Sequence, residues 1–255
     1  MSGAANRLTD WGNQLASAVA HLLWPACCMG CDRVLNGPPA SWFCSICVQT
    51  LRPPTKDNHC SRCALPMDFF HNPLRECTSC RATPPPFGQL ASALWYGGAI
   101  GPALQKFKWG KRDDLARPLG TLLAPLLADL AVQPDAVVPV PLDRRRLFQR
   151  GYNQAVLLAA QALRQARNPA PLRPRWLQRT MPASDNRAKS VQERQAAVQH
   201  AFVVPPQAMS HVRGKNILLV DDVVTTGATV HACTNALLDA GAQRVDVLSL
   251  CRAVF

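Results

Sequence analysis

Acidic residues are scarce in this chain, long apolar runs are missing, and no cleavable leader is legible. Each absence excludes something. The apolar stretch from Leu119 to Val132 is broken by Pro125 and Asp129, so no run reaches the ~18 residues of a membrane-spanning helix. The one signal-like segment, Leu15 to Cys28 after Arg7, is interrupted by His21 and has no clear small-residue cleavage site. The expectation is a cytoplasmic protein without membrane insertion. With 16 Asp and Glu against 28 Lys and Arg, the chain carries a formal charge of +12 and a pI near 9.6. Such a balance points to a polyanionic partner without choosing between nucleic acid, a phosphorylated metabolite and a membrane surface. Disorder is not expected either, because 255 residues at 48% hydrophobic content can bury a core and leave room for a smaller appendage.

Cysteine, by contrast, is abundant, with eleven residues. Eight of them form four C-x-x-C pairs: Cys28 with Cys31, Cys44 with Cys47, Cys60 with Cys63, and Cys77 with Cys80. This is ligand spacing, in which each pair makes a knuckle and two knuckles complete a tetrahedral site. The two halves repeat at an offset of 32 to 33 residues. Two structural zinc ions are therefore expected in a double ribbon, lowering the formal charge to about +8. Cys27 leaves an alternative register open, although two-residue spacing favours Cys28. Cys233 and Cys251 fall in a predicted helix and strand and read as core residues.

Leu8, Trp11, Leu15, Ala18 and Leu22 recur at helical spacing and predict an amphipathic helix within residues 1–24. The ribbon spans 25–82, and its Pro-rich, weakly periodic sequence needs metal to fold. A stiff connector, Thr83 to Phe87 with three prolines, leads into a domain over 87–255. There the pattern predicts strands over 90–96, 136–140, 216–220 and 245–250. Helices are predicted over 99–108, 114–131, 153–167 and 229–240, and a basic, poorly periodic stretch over 173–200. Alternation of strand and helix predicts an α/β fold with a mainly parallel sheet, whose ligands bind at the carboxyl ends of the strands.

One such end is chemically distinctive. The apolar run Ile217 to Val220 leads into Asp221 and Asp222, then Val223-Val224-Thr225-Thr226-Gly227-Ala228-Thr229 and a helix. A phosphate there meets unpaired N–H groups, the positive end of a helix dipole and threonine hydroxyls, while Gly227 permits close approach. The carboxylates suit a ribose diol or a metal-bound sugar. An acidic turn with a threonine cap explains one Asp and one Thr but not the whole string.

This string closely resembles the phosphoribosyl pyrophosphate motif of type I phosphoribosyltransferases. The resemblance implies that Asp221 and Asp222 bind the ribose hydroxyls, and that Thr225, Thr226, Gly227, Ala228 and Thr229 hold the 5′-phosphate. Val138-Pro139-Val140-Pro141-Leu142, Arg145, Arg146 and Arg150-Gly151-Tyr152-Asn153-Gln154 resemble the pyrophosphate-side loop of one branch, the ComF competence and DNA-utilisation proteins. The zinc repeat, Phe107-Lys108-Trp109-Gly110 and the C-terminal strand resemble that branch too, so the similarity runs from about Pro25 to Arg252. It implies a type I phosphoribosyltransferase sheet preceded by a small double zinc ribbon, with Val140, Pro141 and Arg150 on the pyrophosphate side. Between Arg179 and Phe202, Ala183, Asn186 and Ala197 stand where the family usually has Thr, Gln and Asn, and Asp32 follows Cys31 where many members have Gly.

Two functional readings follow. In one, a transferase uses Mg²⁺ with Arg145, Arg146 and a closing loop bearing Arg187, Lys189 and Arg194 to stabilise departing pyrophosphate, on a nucleobase or other small acceptor, with a ribbon that is only structural. No His or Glu stands out as its base. In the other, the domain holds phosphoribosyl pyrophosphate while the basic surface, with Lys106, Lys108, Lys111 and Arg112 around Trp109, engages single-stranded DNA in uptake or utilisation. Trp109 reads equally well as core. A weaker third reading makes the ribbon an adaptor for a DNA-processing or helicase partner.

Overall fold

The computed structural model describes residues 25–35, 42–55, 57–67, 75–180 and 200–254. The expected helix within 1–24 lies outside them, as do Ala183, Asn186, Arg187, Lys189, Arg194 and Ala197 of the expected closing loop.

Among the described residues the strands are β1 (Leu90–Trp95), β2 (Ala136–Pro139), β3 (Gln178–Arg179), β4 (Phe202–Val203), β5 (Asn216–Val224) and β6 (Arg244–Arg252). Four of them form one parallel sheet in the order β1-β6-β5-β2, and β3 pairs antiparallel with β4. The helices are α1 (Ser45–Val48), α2 (Thr78–Ala82), α3 (Ile100–Trp109), α4 (Ala116–Thr121), α5 (Ala124–Ala128), α6 (Arg144–Arg150), α7 (Gln154–Ala166), α8 (Pro206–Val212) and α9 (Ala228–Asp239). Among the described residues, none is long and apolar enough to cross a membrane.

A parallel strand buried on both faces shows no polar alternation. In β5 the buried run Ile217–Val220 divides its side chains between two cores. Leu218 and Val220 pack with α3, α4, α5 and α7, while Ile217 and Leu219 pack with α8 and α9. The helical faces follow the periodicity: Ile100, Ala103, Leu104 and Phe107 of α3 and Ala155, Leu158, Ala159 and Ala162 of α7 are buried. Asn153 caps α7, its Oδ1 accepting from Ala155 N at 2.9 Å.

The long helix expected over 114–131 is instead a 3₁₀ turn, Asp113–Leu115, followed by α4 and α5. Pro125 accounts for the break, because it lacks an N–H and is tolerated only in a first turn, which is where α5 places it. β5 and β6 are both longer than their apolar cores suggested. Their pairing continues through Asp221, Val223 and Val224 opposite Ser249, Cys251 and Arg252.

The ribbon lies along the outer edge of β1. Leu90 N donates to Arg62 O, Trp95 N to Arg52 O, and the Trp95 indole to Ala64 O. An edge strand's unpaired groups are thereby covered. Gly30 meets Ala99 so closely that a Cβ there would lie 2.8 Å from the alanine methyl.

Candidate functional site

The eight paired cysteines gather into two clusters, Cys28, Cys31, Cys44 and Cys47, and Cys60, Cys63, Cys77 and Cys80, each with its sulfurs within 4.8 Å of one another. Successive knuckles therefore pair. The Cys31–Cys44 and Cys63–Cys77 Sγ separations are both 3.7 Å. A tetrahedral ion with bonds of about 2.3 Å to sulfur requires about 3.8 Å between sulfurs, so both clusters fit zinc. Backbone amides support the sulfurs in the same way in each repeat, Cys44 N donating to Cys28 Sγ and Cys77 N to Cys60 Sγ, both at 3.3 Å. Cys27 is exposed and outside the cluster, with its thiol on Pro25 O, which decides the register for Cys28. Asp32 has φ +61° and Ala64, its equivalent in the second repeat, φ +56°. The glycine expected after Cys31 is thus replaced by aspartate, a residue that tolerates the left-handed region comparatively well.

At the carboxyl end of the sheet, β5 carries Asp221 and Asp222 within its own hydrogen-bonded length, so strand pairing holds both carboxylates. Both are partly buried. Burial, and then the charge of Asp222, push Asp221 up to about 7 against the opposing pull of Lys108. The Lys108 ammonium lies 3.1 Å from Asp222 Oδ1.

The next turn exposes Thr225 and Thr226 and then takes a left-handed step at Gly227, φ +87°, where any side chain would be strained. Gly227 is the N-cap of α9 and, lacking a side chain, offers it no capping acceptor. Among the first-turn N–H groups, that of Ala228 makes only a long bond, 3.4 Å, to Thr226 Oγ1 in the loop itself. Ala228 and Thr229 occupy this first turn.

Asp221, Asp222 and Thr229 line a cleft of about 180 Å³ together with Val140, Pro141, Arg146, Arg150, Lys108 and Arg179. Thr226 and Gly227 line instead a cavity of about 450 Å³ against the ribbon, with Cys63, His231 and Arg252. Arg150 is 8% exposed and donates to Gln154 Oε1 at 3.0 Å, but its Nε has no hydrogen-bond partner among the described residues. Trp109 covers it, with the guanidinium 4.4 Å from the ring centroid. Arg146 is held by Asp143, which caps α6 by accepting from Arg146 N and lies 3.5 Å from its Nε. Arg145 is exposed on the same helix. Beyond Pro141, Leu142, Asn153 and Arg179 the cleft adjoins a larger cavity of about 510 Å³ walled by Leu147, Tyr152, Val156 and Leu177.

The four lysine and arginine candidates for DNA are placed differently from one another. Lys106 reaches into the ribbon, bonding Met29 O at 3.1 Å and Asp32 Oδ1 at 2.6 Å. Lys108 faces the acidic pair. Lys111 is exposed, and Arg112 makes two 2.7 Å bonds to Asp114. Trp109 is exposed rather than core. Sequence reasoning missed the place of Lys108 and Arg179 in the cleft, because nothing in their local pattern separates them from ordinary helix or loop residues; Gln154, in the string likened to the pyrophosphate-side loop, lines it too.

A family model described as a phosphoribosyl transferase domain matches residues 152–253. The "DNA utilization protein YhgH" of Escherichia coli K12 is 32% identical over 228 residues, covering 83% of this chain and 91% of that protein. "Competence protein F" of Haemophilus influenzae is 24% identical over 238 residues, covering 91% and 93%. "Competence protein ComFC" of Bacillus subtilis is 32% identical over 126 residues, covering 48% of each.

Proposed function

Because this chain belongs to the ComF family of competence and DNA-utilisation proteins, we propose that its cleft binds phosphoribosyl pyrophosphate and that the protein, in the cytoplasm, acts on or with single-stranded DNA. One observation carries the first part: two carboxylates, Thr229 in the first turn of α9 and a buried, underused guanidinium line one cleft. Asp221 and Asp222 accept the ribose hydroxyls. The N–H groups and hydroxyls from Thr225 to Thr229 take the 5′-phosphate. Arg150, with Arg146 and the backbone at Val140 and Pro141, takes the diphosphate. Magnesium bound with the diphosphate supplies neutralising charge.

Calorimetric titration of the full chain with the magnesium salt of phosphoribosyl pyrophosphate tests this. Wild type binds, and Asp221→Ala with Asp222→Ala abolishes binding without loss of the fold; unchanged affinity in the double variant overturns the assignment.

The second reading, an active phosphoribosyltransferase, is favoured by one feature of the same cleft. A carboxyl raised to about 7 is matched to proton transfer near neutral pH, and Asp221 is such a group. Pyrophosphate release that depends on one nucleobase or on DNA would establish it. For DNA, the exposed Trp109 beside Lys111 and Arg112 offers a stacking face with cations around it.

A further inference from the structure

Arg252, the last residue of β6, is 5% exposed and spends its hydrogen bonds on backbone carbonyls. Its Nε donates to Cys63 O at 3.1 Å, and its Nη1 to Val224 O at 3.0 Å, to Ala253 O at 3.1 Å and to Thr225 O. A guanidinium buried among neutral acceptors is a costly arrangement, and a planar fork of fixed donors is the group suited to hold several carbonyls at once. Two of those carbonyls open the phosphate loop, and one belongs to a cysteine of the second cluster.

The geometry of the peptide unit gives this contact a consequence. In a planar trans peptide the C=O and the following N–H point in opposite directions. The carbonyl of Val224 shares its plane with the N–H of Thr225, and that of Thr225 with the N–H of Thr226. Drawing both carbonyls toward Arg252 turns both N–H groups to the other side of the loop, away from the ribbon. The ribbon end of the link is equally defined, because three successive knuckle carbonyls are held: Arg62 O by Leu90 N, Cys63 O by Arg252, and Ala64 O by the Trp95 indole.

We propose that Arg252 is the positioning residue of the phosphate loop and makes the shape of that loop depend on the second cysteine cluster. Folding of the Cys60–Cys63 knuckle places one carbonyl, that carbonyl orients one guanidinium, and the guanidinium orients the Thr225 peptide, while it shares Val224 O with the strand bond from Ala253 N at 2.8 Å. The first cluster meets the body elsewhere: Cys28 and Cys47 share the main core with Leu94, Ala99 and Ile100, and Lys106 and Thr50 add polar contacts. The proposal rests on the sugar-phosphate reading only for the identity of the ligand.

The test uses the full, metal-loaded chain and compares wild type with Arg252→Lys, which keeps the charge but not the fork, and with Cys77→Ser and Cys44→Ser. Backbone ¹⁵N order parameters at Thr225 and Thr226 report the loop without any ligand. They are expected to fall from the rigid range near about 0.85 to below about 0.6 in Arg252→Lys and Cys77→Ser, and to stay in place in Cys44→Ser. Calorimetry with two separate probes adds a readout that general destabilisation does not mimic. Affinity for ribose 5-phosphate drops about tenfold or more in Arg252→Lys, while affinity for inorganic pyrophosphate, which the Arg150 side of the cleft serves, stays within about twofold. Unchanged loop order in Arg252→Lys and Cys77→Ser overturns the proposal, as does equal loss of both probes. Should Arg252→Lys fail to fold, the contrast between Cys77→Ser and Cys44→Ser decides alone. If wild type binds neither probe, the sugar-phosphate reading fails while the order parameters still decide the role of Arg252.

Discussion

Asp221 owes its behaviour to two neighbours and to depth. Burial disfavours its charged form, Asp222 adds repulsion, and Lys108 only partly offsets them, leaving it at about 7. An acid raised from 3.8 in the unfolded chain to about 7 in the folded one binds more protons when folded across that window. Its contribution to stability is therefore full below about pH 4 and is lost as pH rises through about 7. Ligand binding runs the other way, since a carboxylate accepts from a sugar diol. Affinity for phosphoribosyl pyrophosphate is expected to rise between about pH 6 and 8, and Asp222→Asn to move the midpoint down; a flat profile in calorimetry across that range refutes the role. Arg150 gives a second expectation. Its unpartnered Nε is the kind of buried donor that costs stability unless a ligand uses it. Arg150→Met is expected to weaken pyrophosphate binding by about 10- to 100-fold, the range for a charge-assisted hydrogen bond, and Trp109 fluorescence to report the loss because the ring lies on that guanidinium. The motif residues Asp221 to Thr229 were legible because their types have few other uses in that order. Arg252 was not, because a lone arginine at a strand end carries no local signal of what it holds.

At the scale of elements, the ribbon is the part whose folding depends most on something outside the polypeptide. At the second cluster its described core is little more than the cysteines with Leu65 and Met67, whereas Cys28, Met29, Phe43 and Cys47 of the first repeat share the main core. About two zinc ions per chain are expected by elemental analysis, and Cys44→Ser is expected to unfold the first repeat. The ribbon also covers β1, so removing metal should uncover the donors of Leu90 and Trp95 at a sheet edge. Chelated protein is then expected to self-associate with rising concentration, seen by light scattering; a monodisperse chelated sample would show that the edge is protected in some other way. Strands β1, β2, β5 and β6 and helices α3, α7 and α9 were readable from periodicity. Their boundaries shifted where pairing or a proline intervened: β5 ran on through the acidic pair because β6 offered partners, and Pro125 divided one expected helix into two. Helices α6 and α8 were not foreseen. In α6 the run Arg144 to Arg150 carries no apolar stripe, and only the cap at Asp143 marks its start.

For the whole molecule, an excess of basic residues says that a polyanion is bound but not where. The fold assigns Lys106 to the ribbon and Lys108 to Asp222, pairs Arg112 with Asp114, and leaves Lys111 exposed near the exposed Trp109. Replacing Lys111 and Arg112 with alanine is expected to weaken single-stranded DNA binding and to flatten its dependence on log salt by about 1.4, the value for two neutralised phosphates on a single strand; Trp109→Ala should weaken binding without altering the slope. An unchanged slope would place the DNA surface elsewhere. By itself the sequence determined what depends on local chemistry: four metal knuckles with a repeat, a parallel α/β pattern, and a strand, acidic pair and phosphate loop in that order. The pairing of the knuckles, the seating of the ribbon on β1, the convergence of Arg150 with Asp222, and the bond from Arg252 to both Cys63 and the loop were decided only by tertiary structure. These contacts join residues as far apart as 189 positions, and no local spacing encodes which buried carbonyl a distant guanidinium will find.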